Sequence, residues 1–142
     1  MSASAGDDEE DTDENEGAAP PAAAETVQVR VTEQDEKIMD RVRARAGLAE
    51  ARDWVGEHAS DARRQRLAEV FYAAGARKVY FDLTAGAASR PTRGFVELPT
   101  DRDGRAECFR IYQTYCARNK ITPDAASVAD AGQKYLVIDI KK

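Results

Sequence analysis

Apolar residues recur along the chain in two periods, and the switches between them mark its elements. Leu67, Val70, Phe71 and Ala74 fall at i, i+3, i+4 and i+7, the spacing of a helix with one buried face; Ser60 can cap it and Gly75 can end it. Val79, Phe81 and Leu83 then alternate with Tyr80 and Asp82, which predicts a strand. After the stretch Thr84 to Gly94, the run Phe95, Val96, Glu97 and Leu98 alternates again and stops at Pro99, which cannot donate to a ladder. Helix, strand, loop and strand read as one unit whose strands pair as an antiparallel hairpin.

The flanking segments follow the same logic. Val27, Val29 and Val31 alternate with Gln28 and Arg30 as a short strand. Thr32 with Asp35 resembles a capping box, and the helix it opens runs to about Ala46 before Gly47. Leu48 to Glu57 offers Leu48, Ala51, Trp54 and Val55 as a second short helix. Thr100 with Asp103 starts a further helix carrying Cys108, Ile111, Tyr112, Tyr115 and Cys116 on one stripe. Thr122, Pro123 and Asp124 open a short helix, and Leu136, Ile138 and Ile140 make a last strand. Right-handed crossovers and hairpin pairing predict an α+β fold of the ferredoxin-like split βαββαβ type. Its strands would be ordered four, one, three, two, with helices on one face and the other face open.

Charge divides the chain. The first 25 of its 142 residues hold nine acids and no Lys or Arg, with no aromatic, Leu, Ile or Val to bury, so a disordered acidic tail is expected ahead of one domain over residues 26–142. Whole-chain net charge is -5, but residues 26–142 carry 17 acids against 21 Lys and Arg, a charge of +4. There is no basic-then-apolar leader and no apolar run of roughly 20 residues, so a cytoplasmic protein is expected. Cys108 and Cys116 lie eight residues apart on one helix, about 12 Å at 1.5 Å per residue, too far to bridge each other.

Little in the pattern points to catalysis. His58 is the only histidine, and the two cysteines lie on a core-like stripe rather than at a helix start that would stabilise a thiolate. No zinc-type spacing occurs, so neither metal nor cofactor is expected. With helices on one sheet face, Arg30, Tyr80, Asp82, Phe95, Glu97, Tyr135, Val137 and Asp139 would line the other, an aromatic surface with a charged rim that suits a protein partner or a second copy. The three carboxylates there are better explained by ion pairs with neighbours such as Arg30 than by a metal. Arg90 and Arg93 in the Gly/Arg loop, and Arg63 and Arg64 in the first turn of the central helix, are candidate anion contacts; the loop lacks P-loop spacing. The expected function is a non-catalytic protein-interaction or regulatory module using the sheet face. The alternative is a nucleic-acid, nucleotide or anion binder that uses the basic helices and the Arg loop, with the acidic tail as competitor.

Overall fold

In the computed structural model, which describes residues 25–141, four α-helices lie against a four-stranded antiparallel sheet. The expected disordered tail, Glu25 apart, lies outside the described residues. Thr32 and Asp35 form the predicted capping box and start α1 (Glu33–Ala44). Arg45 ends it with φ 53°, in the left-handed region. The next segment differs from expectation. Leu48–Glu50 is a strand, β1, and only Ala51–Glu57 is helical, α2. The reason is tertiary: Leu48, Ala49 and Glu50 register against Asp82, Phe81 and Tyr80 of β2 (Lys78–Asp82), and sheet pairing outweighs local helix preference.

The central helix α3 (Ala62–Ala73) is capped by Asp61, one residue later than Ser60, its carboxylate accepting from the Arg64 amide at 3.1 Å. The loop after β2 holds a small hairpin, β3 (Gly86–Ala87) with β4 (Arg90–Pro91), before β5 (Arg93–Glu97). Asp101 rather than Thr100 caps α4 (Arg102–Asn119), accepting from the Gly104 amide at 2.7 Å. A single 3-10 turn (Ala125–Ser127) leads to β6 (Tyr135–Asp139).

The strand order is β1-β2-β5-β6, every neighbour antiparallel, and not the four, one, three, two order of a ferredoxin-like sandwich. Val27 to Val31 forms no strand. It is tied to the body by the Val27 amide on Thr100 O and the Arg30 amide on Gly132 O, both 2.8 Å, with an isolated bridge between Thr26 and Asp101. The central slot expected for it does not exist, because β5 and β6 pair directly through five residue partners.

Nor do the helices keep to one face. Trp54, Leu67, Phe71, Phe109 and Tyr112 of α2, α3 and α4 pack with Val79, Phe81, Val96, Leu136 and Ile138 on one side of the sheet. On the other, α1 sets Ile38 over Tyr80, Phe95 and Tyr135. Two polar ties hold it there. Fully buried Asp35 accepts from the amides of Lys134 (2.9 Å) and Tyr135 (3.0 Å). Farther along, Arg41 grips both oxygens of Asp82 at 2.8 and 3.1 Å.

The rim strand β6 is met by side chains. The Ser127 hydroxyl donates to Val137 O at 3.0 Å, and the phenol oxygens of Tyr112 and Tyr115 accept from the amides of Asp139 and Lys141, each at 2.9 Å. Among the described residues no helix is long and apolar enough to cross a membrane.

Candidate functional site

The aromatic residues expected to line an open sheet face lie beneath α1. Tyr80, Phe95 and Tyr135 are buried, and burial first, then the neighbouring Glu97 charge, pushes the Tyr135 phenol up to about 12. The carboxylates of that face are paired without Arg30, which sits outside the sheet: Asp82 with Arg41, Glu97 with Lys134 at 3.3 Å and Arg77 at 4.0 Å, and Asp139 with Arg93 at 3.9 Å. Val137 is half-buried beside the α1 contact. Among the described residues no group of three or more His, Cys, Asp or Glu is placed to hold a metal.

The histidine and the thiols are occupied by packing. His58 stacks on Trp54 with ring centroids 4.3 Å apart, and its Nδ1 lies 3.0 Å from Trp54 O. Trp54 in turn donates from Nε1 to Ala88 O at 3.2 Å, tying α2 to the small hairpin. Burial raises the Cys108 thiol to about 11 and pushes Cys116 up as well, the reverse of what a nucleophile needs.

Three of the four arginines singled out as anion contacts do meet. A cleft of about 580 Å³ is lined by Arg63 and Arg64 from the start of α3, Arg90 and Ser89 from the hairpin, His58 and Ser60 from the preceding loop, and Lys141. Arg93 is not among them. Within the cleft Arg64 is structural, being buried and spent on protein oxygens: Nε donates to Pro91 O (2.8 Å), Nη1 to Asp61 (2.8 Å) and Nη2 to Lys141 O (3.3 Å). Burial would raise the Asp61 carboxyl, but these Arg64 bonds and the nearby Arg90 charge hold it below its usual range. Asp61 is the lone carboxylate of the cleft lining, against four cations.

Next to this cleft, α3 and α4 leave a groove of about 450 Å³ that shares Arg63 with it. Leu67, Val70, Ile111 and Tyr115 give it an apolar lining, and Arg63, Arg66, Arg110 and Arg118 stand along its borders with no carboxylate in the lining. The helical period explains the arrangement. Arg63, Arg66 and Val70 succeed one another at three- and four-residue steps on α3, and Arg110, Thr114 and Arg118 at four-residue steps on α4. Arg110 pairs with Glu107 on its own helix; the side chains of Arg63, Arg66 and Arg118 make no hydrogen bond or ion pair among the described residues. Lys141 joins cleft to groove, its amide on the Tyr115 phenol and its Nζ 3.4 Å from Asn119 O.

Sequence reasoning missed this groove for a definite reason. It assigned Val70 to the buried face of the helix, whereas Val70 is 43% exposed and the buried stripe is Arg64, Leu67, Ala68 and Phe71. The available signal was the alignment of Arg63, Arg66, Arg110 and Arg118 around apolar positions on two neighbouring helices. No protein-family model matches the chain, and no curated protein or solved structure matches it.

Proposed function

We propose that this chain is a non-catalytic protein-interaction module whose docking surface is the α3–α4 groove, and that its partner is an acidic amphipathic helix. The carrying observation is the pairing of an apolar lining that includes exposed Val70 with three arginines that have no partner among the described residues. A groove of this kind takes a helix laid along it, apolar anchors inward and carboxylates toward the borders. Arginine suits the task because its planar fork binds a carboxylate through two hydrogen bonds. Nucleic acid is the weaker fit, since the groove offers Tyr115 as its single aromatic ring and that phenol is already bonded to Lys141.

The test is titration of the full chain with a synthetic peptide carrying Leu at i, i+3, i+4 and i+7 and Glu elsewhere, set beside a short single-stranded RNA. Val70→Asp, or Arg66→Glu with Arg118→Glu, should weaken peptide binding about tenfold while circular dichroism stays that of the parent, each exposed ion pair being worth about 0.2 to 1 kcal/mol. Peptide binding indifferent to both variants overturns the groove as docking surface. RNA binding that falls steeply with salt, with no peptide binding, transfers the surface to nucleic acid.

A further inference from the structure

Resting on the groove as docking surface, we infer that its resident occupant is the acidic N-terminal segment of the same chain, residues 1–24, so that an external partner must displace it. Residues 1–24 carry eight carboxylates and no Lys or Arg, all eight between Asp7 and Glu16. Opposite charge is thus concentrated in the segment that precedes the described residues.

Geometry brings the two together. The described chain begins pinned to the start of α4, one wall of the groove: the Arg102 amide donates to Glu25 O at 3.0 Å, and the Arg102 guanidinium pairs with the Glu25 carboxylate at 3.1 Å. Along α4, Arg110 and Arg118 lie 8 and 16 residues beyond Arg102, about 12 and 24 Å at 1.5 Å per residue. Between Glu16 and Glu25 stand Gly17 to Ala24, rich in Ala and Pro, which span about 25 Å in extended form. This spacer is therefore long enough to lay the acidic block along α4 as far as the unpaired Arg118. Tethering also raises the effective concentration of the block into the millimolar range, so that individually weak ion pairs suffice for occupancy.

The experiment compares the full chain with a full-chain variant in which all eight carboxylates are changed to their amides, Asp7→Asn through Glu16→Gln. Amide and guanidinium NMR signals of Arg66, Val70, Thr114 and Arg118 should differ between the two at low salt and converge at high salt, as Debye screening shortens. The neutralised chain should also bind the Glu/Leu peptide at least about threefold more tightly, the factor that corresponds to a groove occupied by the segment about two thirds of the time. Groove signals identical in the two chains, with equal peptide binding, overturn tail docking while leaving the groove as docking surface intact. Failure of the peptide to bind either chain overturns the docking function instead, and a salt-sensitive signal difference would then still support the internal contact.

Discussion

Arg41 and Asp82 lie 41 positions apart in the chain, yet their bidentate pair decides how the start of the sheet is closed. Burial by itself would raise the Asp82 carboxyl, but hydrogen bonds from Arg41 and from the hydroxyl and amide of Thr84 outweigh it and hold the group at about 2, against an ordinary 3.8. With the folded value below the unfolded one, the carboxylate stabilises the fold above about pH 4, and that contribution is lost as pH falls from about 4 toward 2. At about 1.4 kcal/mol per unit it amounts to roughly 2 kcal/mol. Asp82→Asn should lower stability at neutral pH by about that much and flatten its fall between pH 4 and 2, both read by urea unfolding across pH. An unchanged acid limb would place the acid sensitivity elsewhere. Arg105, wholly buried on Asp130, Pro99 O and Gln133 O, ties α4 to the approach of β6 in the same way.

Among the elements, α1 depends most on a few side chains. Ile38 is its one fully buried apolar residue, so the Asp35 carboxylate, which caps the helix and accepts two amides of β6, carries a large share of its attachment. Asp35→Ala should cost about 1 kcal/mol for the cap and a further 1 to 3 kcal/mol for the orphaned amides. Hydrogen exchange should show α1 losing protection ahead of β2 and β5, with Tyr80 and Tyr135 becoming accessible; uniform loss across the fold would mean α1 is no separate unit.

That same helix marks where sequence reasoning ended. Its capping box, the β2–β5 pairing and the stripe of Cys108, Tyr112 and Cys116 were legible because each is set by residues close in sequence. Its place over the sheet was not, because the two amides Asp35 accepts lie about 100 residues away. The strand at Leu48–Glu50 was hidden likewise, since only β2 makes it extended. At the site, Arg63 with Arg64 and Arg90 with Arg93 were found as candidate anion contacts on separate segments. The convergence of Arg63, Arg64 and Arg90 with Lys141 required the C-terminal segment to be fixed by Tyr115 and Arg64, which no local pattern encodes.

Across the whole molecule, the polar contacts along β6 have a meaning beyond the sheet they border. A rim strand with free amides and carbonyls is a template for pairing with another chain, the first step of strand-to-strand aggregation. Here positions 135, 137, 139 and 141, every second residue and so the same rim, are taken in turn by Asp35, Ser127, Tyr112 and Tyr115. At the opposite side, where β1 stops short of Val79, the Tyr72 phenol accepts that amide at 3.3 Å. Ser127→Ala with Tyr112→Phe should therefore promote assembly out of proportion to lost stability: at equal distance below its own melting temperature, the variant should scatter light and bind thioflavin T sooner than the parent. Equal onset would mean that the helices alone protect the rim. A short row of hydroxyls and one carboxylate then serves less to hold the fold together than to keep each copy from being extended by the next.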